Sequence, residues 1–245
     1  MADYFSGHAA SYVEYRPTYS SALFEFIADI VPAPRCVWDC GTGSGQAAQG
    51  LAEQFQKVIA TDISAPQLQH AALDPRIEYR IAAAEQSNLD AASVDAVTAF
   101  QAAHWFDLPR FFAEAHRVLV PGGICSLWTY SGCCVNAEVD AIVKTLYDDI
   151  VGPYWPPQRR LVETGYRTID FPFTAIAIPA LSIKREWNLE AFMNYLRTWS
   201  ATQRYIAAHD VDPLIELRPA LDSAWGAECD CNIVTWRLRG RTGKR

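Results

Sequence analysis

Several things are missing from this sequence of 245 residues, and each absence closes off a class of protein. It has no uninterrupted apolar run of the ~18 or more residues that cross a bilayer. Its opening, MADYFSGHAASYVEYRP, carries neither a basic start nor an apolar stretch. No secretory leader is read there, and a cytoplasmic location is expected. The seven cysteines form no C-x-x-C pair, only Cys133-Cys134 and Cys229-x-Cys231, and the five histidines are dispersed. Without ligand spacing no metal site is expected, and the thiols read as idle or buried in a reducing compartment. Basic residues are in deficit. The net charge of −7 argues against broad contact with nucleic acid or anionic lipid. There is no internal repeat and no low-complexity stretch.

Aromatic residues, by contrast, are plentiful. Half the residues are hydrophobic, and eight Trp with eleven Tyr suggest a pocket walled by flat rings. The length suits a single domain with a cap. It is divided here into an N-terminal cap (1–31), a core (35–130), lid and helices (131–225), and a last strand with a basic tail (226–245).

The first half alternates helix and strand. Leu23, Phe26, Ile27, Ile30 and Val31 share one helical face, ended by Pro32 and Pro34. Cys36-Val37-Trp38 is a short buried strand with Trp38 in the core, and Ala47, Ala48, Leu51 and Phe55 mark a second helix. Val58-Ile59-Ala60 is a second strand, followed by a helix over 65–73 and a strand over 77–81. Residues 93–99 read as a fourth strand. Leu108, Phe111, Phe112, Ala115, Val118 and Leu119 form a helical stripe broken by Pro121-Gly122-Gly123, and 124–129 is a fifth strand. Near-continuous apolar strands between helices predict a doubly wound α/β sheet. In the second half a helix over 132–150, an aromatic loop over 152–157 and extended chain over 172–184 are expected. Helices near 189–205 and 213–225 and a last strand over 233–236 follow. The final RLRGRTGKR reads as a solvated, frayed tail.

The segment Asp39-Cys40-Gly41-Thr42-Gly43-Ser44-Gly45 leaves the first strand and opens a helix. Such a loop lets a ligand approach the backbone closely. A dinucleotide fingerprint would place glycine or alanine where Gln46 stands, and a phosphate loop would carry a lysine that is absent. The loop thus has the position of a nucleotide site without the features that hold phosphate. Asp62 ends the second strand, where a carboxylate can accept from ribose hydroxyls, and Ala83-Ala84-Glu85 follows the third. Ligands bind at such carboxyl ends in open α/β sheets.

With DCGTGSG, ATDIS, AAAE, SVDAVTAFQAAHWFD and RVLVPGG in order, residues 36–128 resemble the class I S-adenosylmethionine-dependent methyltransferases, in the methyltransferase type 11 branch. FSGHAASYVEYRPTY and TWSATQRY are similar to trans-aconitate methyltransferase-like proteins. The resemblance implies a seven-stranded, mostly parallel sheet whose last strand is antiparallel. It implies S-adenosylmethionine as cofactor and S-adenosylhomocysteine as product. Asp39, Gly41, Thr42, Gly43 and Gly45 would shape the methionine side. Asp62 would hold the ribose, Ile63 the adenine face, and Ala84 and Glu85 the adenine edge. Gln101 would lie near the sulfonium, and Arg16 would close over the site from the N-terminal cap.

The implied reaction is methyl transfer to a small-molecule acceptor by in-line displacement, without metal. A carboxylate acceptor would need no base, whereas a phenol, hydroxyl or amine would benefit from one. The candidate base is His104, and a packed structural histidine is the alternative. Tyr12, Tyr15, Trp105, Trp128, Tyr130, Trp155 and Trp199 are expected to wall the acceptor pocket. Arg159 and Arg160 read either as partners for an acidic acceptor or as a solvated pair. Other readings are a nucleic-acid or protein methyltransferase, a nicotinamide dehydrogenase, and a non-catalytic cofactor-binding protein. Base methylation would want Asn/Asp-Pro-Pro-aromatic where Phe100-Gln101-Ala102-Ala103 stands, and Gln46 opposes the dehydrogenase.

Overall fold

Trp38 has no exposed surface, and its indole N–H donates to the Thr61 hydroxyl at 2.8 Å. It lies at the middle of the fold in the computed structural model, which describes residues 15, 17–226 and 231–245. The first half follows the order read from sequence. Helix α1 is Ser21–Asp29, strand β1 is Cys36–Cys40, helix α2 is Gln46–Ala52 and strand β2 is Lys57–Asp62. Then come α3 (Ala65–Gln69), β3 (Ile77–Ile81), β4 (Val94–Phe100), α4 (Leu108–Val118) and β5 (Leu119–Thr129).

Successive strand residues point to opposite faces. Val37, Val58, Ala96 and Ile124 therefore pack on one side of the sheet with Leu23 and Ile27 of α1 and Leu51 of α2. Trp38, Ile59, Val97 and Leu127 pack on the other with Phe111, Ala115 and Val118 of α4. Every residue of β4 is buried, as expected of a central parallel strand covered on both faces. In β5 the pairing shifts from Val94 opposite Leu119 to Ala96 opposite Ile124. The Pro121-Gly122-Gly123 segment thus forms a bulge within the strand, with Gly122 at φ +78°.

The second half contains β6 (Cys133–Cys134), α5 (Ala137–Thr145), a π turn (Leu146–Ile150) and α6 (Arg159–Glu163). It continues with β7 (Thr174–Ile176), β8 (Ser182–Trp187), α7 (Leu189–Arg197), α8 (Ser200–His209) and α9 (Pro213–Trp225). The chain closes with β9 (Asn232–Arg237) and β10 (Arg239–Lys244). The main sheet has the order β3-β2-β1-β4-β5-β10-β7, and β6, β9 and β8 form a separate three-stranded antiparallel sheet. Parallel pairings join β1 to β2 and β4, β2 to β3, and β4 to β5. β10 runs antiparallel to both its neighbours, so it is the one reversed strand of seven. This is the doubly wound, mostly parallel sheet expected.

Several boundaries differ from the sequence reading. The stretch 132–150 is not one helix. Cys133 and Cys134 pair with β9, and Asn136 then caps α5 by accepting from the Val139 N–H. The stretch 189–205 is split because Trp199 adopts an extended backbone (φ −65°, ψ 134°) between α7 and α8. Helix α3 is shorter than 65–73. The strand around 233–236 exists as β9, but it belongs to the small sheet.

The largest correction concerns the basic tail, which is not frayed. Residues 239–244 are β10, inserted between β5 and β7, with Gly240 opposite Trp128 and Thr242 opposite Ser126. The pattern Arg-Gly-Arg-Thr-Gly-Lys hides this because its apolar surface is supplied by arginine stems and by the absence of side chains. Arg241 lies over the Phe171 ring at 5.2 Å and donates to the carbonyls of Arg167 and Ile169. A Cβ on Gly240 would stand 2.0 Å from the Leu127 carbonyl oxygen, a distance no side chain tolerates. Gly240→Ala should therefore cost about 1–3 kcal/mol in denaturant unfolding, whereas a solvated tail would feel nothing. Gly132→Ala is the control, since a Cβ there would have nothing within 4 Å.

Candidate functional site

The order of the main sheet reverses direction between β1 and β4, and a crevice opens at the carboxyl ends of these strands. The glycine loop forms one lip. The N–H groups of Gly41 and Thr42 donate to the Thr61 carbonyl at 2.9 and 3.0 Å, and the Gly43 N–H donates to Asp62 Oδ2 at 2.9 Å. Asp62 Oδ1 accepts from the Ser64 N–H at 2.9 Å, so this one side chain ties the loop to the start of α3. Gly41 is required for close approach, because a Cβ there would meet that of Ala102 at 2.7 Å.

Asp39 is buried. Its carboxylate accepts from the Thr42 hydroxyl at 2.6 Å and from the Thr98 hydroxyl at 3.0 Å. Burial pushes its pKa up to about 6. The two hydroxyls oppose that rise, and the nearby Asp62 charge adds to it.

The resulting cleft has a volume of about 360 Å³, within the range of small-molecule sites. Asp39, Gly41, Thr42, Gly43, Asp62, Ile63, Ala84, Glu85 and Gln101 all line it. Gly45 does not. At φ +80° it makes the left-handed step into α2, and a Cβ there would strike the Tyr79 hydroxyl at 2.5 Å. Its need for glycine is thus conformational and steric, not a ligand contact. Arg16 and Tyr12 lie outside the described residues. Tyr15 packs half-buried on the apolar cluster and lines neither this cleft nor the smaller cavity beside it.

Sequence reasoning missed Tyr19, Gln67 and Phe106, which also line the cleft. Tyr19 stacks on Phe100 at 4.9 Å between ring centroids. Gln67 is buried, and its Oε1 has no hydrogen-bond partner. An unsatisfied buried acceptor is costly and marks a place for a donor. Its only sequence signal was a glutamine one turn past Ser64, which does not disclose burial. The formal charges on the described walls are those of Asp39, Asp62 and Glu85, with no Lys or Arg among them. Such a cleft suits a ligand rich in donors and positive charge, and it disfavours phosphate.

A second cavity of about 40 Å³ adjoins the cleft and shares Gln101, Trp105 and Tyr130 with it. Trp155, Trp199, His104 and Arg159 complete much of its wall. Four of the expected rings (Trp105, Tyr130, Trp155 and Trp199) are therefore brought together. Trp128 is not among them. It is fully buried, its indole donates to the Ser126 hydroxyl at 2.7 Å, and its ring meets Phe26 edge-on. Its strand position turns it away from the cavity.

Gln101 sits at φ +54° and clamps the shared wall. Its amide donates to the Tyr130 carbonyl at 2.9 Å, and its oxygen accepts from the Thr129 hydroxyl and the Tyr130 N–H. His104 is buried at the edge of this second cavity. Its Nδ1 is 3.0 Å from the Tyr166 hydroxyl, and burial first, with the Arg159 charge second, pushes its pKa down to about 3. A nitrogen so weakly basic does not take up a proton near neutrality. His104 fits the packed, hydrogen-bonded alternative. Arg160 is exposed and lines neither cavity.

Comparison with known proteins agrees with this architecture. Residues 38–127 match the methyltransferase domain model. A Dictyostelium discoideum protein described as a methyltransferase is 34% identical over 227 residues, covering 91% of this chain and 86% of its own length. An uncharacterized methyltransferase of Mycobacterium tuberculosis is 36% identical over 235 residues, covering 91% and 89%. A solved structure from Anaeromyxobacter dehalogenans, described as a type II methyltransferase, superposes with a TM-score of 0.88 at 45% identity, covering 94% of this chain and 97% of that one. Sheet order, cleft and likeness together make this chain an enzyme, a member of the class I S-adenosylmethionine-dependent methyltransferase family.

Proposed function

We propose that the chain transfers a methyl group from S-adenosylmethionine to a small-molecule acceptor, with carboxylates foremost among acceptors. The observation that carries this reading is the cleft itself, with three carboxylates, an unpartnered Gln67 Oε1 and no cation on its described walls. S-adenosylmethionine has donors and a sulfonium charge but no phosphate, and these walls suit it. When bound it supplies an activated methyl group and a good leaving group.

The chain's own residues do the rest. Asp62 is placed to accept from ribose hydroxyls through lone pairs left after its two backbone contacts. Ile63, half exposed, offers an apolar face to the adenine. Ala84 and Glu85 border the adenine edge. Asp39, held by Thr42 and Thr98, fixes negative charge where a cationic end would lie. The ring wall and the Gln101 clamp exclude water and align the acceptor, which is most of what displacement at a sulfonium requires. The reading extends to the narrower likeness with trans-aconitate methyltransferase-like proteins and to an acceptor that is neither nucleic acid nor membrane lipid.

S-adenosylhomocysteine is expected to raise the melting temperature of the wild-type chain. Calorimetric titration should show Asp62→Asn weakening that binding by about ten-fold or more. No thermal shift at saturating ligand would sink the reading. The Asp39 charge gives a second test. A cationic ligand prefers the ionised carboxylate, which is lost as pH falls through about 6. Affinity for S-adenosylmethionine should therefore drop by about ten-fold between pH 7.5 and pH 5. In Asp39→Asn the dependence should flatten. A third measurement concerns proton transfer. Once an acceptor is in hand, the kcat–pH profile should have no limb that disappears in His104→Gln; finding such a limb would restore the base.

A further inference from the structure

The small cavity beside the cleft has a charge pattern of its own. Arg159 opens α6 and lies over the Trp155 ring at 4.5 Å and the Tyr147 ring at 5.4 Å. Its Nε–H donates to the Tyr147 hydroxyl at 2.9 Å, and that hydroxyl donates in turn to Glu163 at 2.6 Å. Among the described residues no carboxylate pairs with the guanidinium, and its two terminal nitrogens have no acceptor. Stacking on rings fixes the plane of an arginine fork and leaves its outer edge free, the geometry that grips a carboxylate.

His104 also lines this cavity. His104 Nδ1 lies 3.0 Å from the Tyr166 hydroxyl, in the 3-10 turn Ala103–Trp105. When the phenol O–H donates to His104 Nδ1, the neutral ring carries its proton on Nε2. His104 Nε2 has no partner among the described residues, although the residue is about nine-tenths buried. Tyr166 is fully buried and held at φ +61° beside Gly165, also at φ +61°. A bulky residue held in the left-handed region is a strain the fold tolerates to place this phenol. Among the described residues no Asp or Glu lines the cavity. Its volume of about 40 Å³ admits a group of a few atoms and not a whole metabolite.

We propose that this cavity is an anion seat in which Arg159 and His104 Nε2–H hold a carboxylate of the acceptor, with Tyr166 as the positioning residue that sets the His104 tautomer. The inference rests on the methyltransferase reading above and deepens it by naming what selects the acceptor. The seat shares the wall of Gln101, Trp105 and Tyr130 with the cleft, so a molecule anchored there lies beside the place of the methyl donor. Trp155 and Trp199 favour a flat scaffold next to the anion.

The test uses the full chain saturated with S-adenosylhomocysteine and two flat probes of equal size, benzoate and benzamide. Benzoate should bind about ten-fold or more tightly than benzamide, by calorimetric titration. Arg159→Met should bring the two affinities together, and Arg159→Lys should restore part of the difference. Nitrogen-15 spectra of the wild type should show His104 protonated on Nε2, and Tyr166→Phe should change that pattern. S-adenosylhomocysteine binding should be the same in the Arg159 variants as in the wild type, which reports on folding. Equal affinity for the two probes, binding of neither to the loaded enzyme, or a His104 proton on Nδ1 would overturn the seat. Failure of S-adenosylhomocysteine to bind the wild type would overturn the methyltransferase reading instead, so the two failures are distinct.

Discussion

The Asp39 carboxylate is the knot on which the site depends. It lies near the end of β1, at the place where the sheet changes direction, and it is held by hydroxyls from the glycine loop and from β4. Two neighbouring strands and the loop are thus joined through one buried anion. Hydrogen bonds to an ion are stronger than neutral ones, but burying the charge is expensive. The raised pKa of Asp39 records that conflict. The strain is tolerated where the cleft needs fixed negative charge, which is the arrangement expected when stability gives way to function locally.

Strain recurs at the wall between the two cavities. Gln101 and Tyr166 both occupy left-handed backbone conformations that side-chain-bearing residues rarely adopt. Gln101 follows β4 and latches onto the end of β5, while Tyr166 follows α6 and reaches His104. Gln101 joins the ends of two core strands, and Tyr166 joins the lid segment to the turn that follows β4. The acceptor side of the molecule is therefore hung on the cofactor side by a few over-determined residues, and not by a broad apolar interface alone.

The first half of the fold was legible because its signals are local. Apolar runs such as Val58-Ile59-Ala60, breakers such as Pro121-Gly122, and acids at strand ends each announce an element or a site by neighbours in sequence. The second half was less so. Trp199 divides two helices by its own backbone angles, which periodicity does not report. Trp128 and Trp155 look alike as residues, yet strand direction buries one in the core while the other lines a cavity. Arg159 and Arg160 are indistinguishable as neighbours in sequence. Only the stacking of Arg159 on Trp155 separates a seated guanidinium from a solvated one. The basic strand was hidden because its neighbours accept glycine and arginine stems in place of branched apolar side chains.

That strand also sets an order of assembly. β7 touches the main sheet only through β10, and β10 meets β5 with Ser126 and Thr242 in contact across 116 positions of sequence. The sheet therefore cannot grow outward from β5 by adding the next segment along the chain. A wedge that arrives from far away must slide in before the edge can close. Closing so long a loop is entropically slow, so the cofactor-binding half is in a position to fold while the far edge is still waiting. Until β10 seats, β5 is an exposed edge of unpaired backbone, and the basic side chains of the wedge, Arg241 that later covers Phe171 among them, keep it soluble in the meantime.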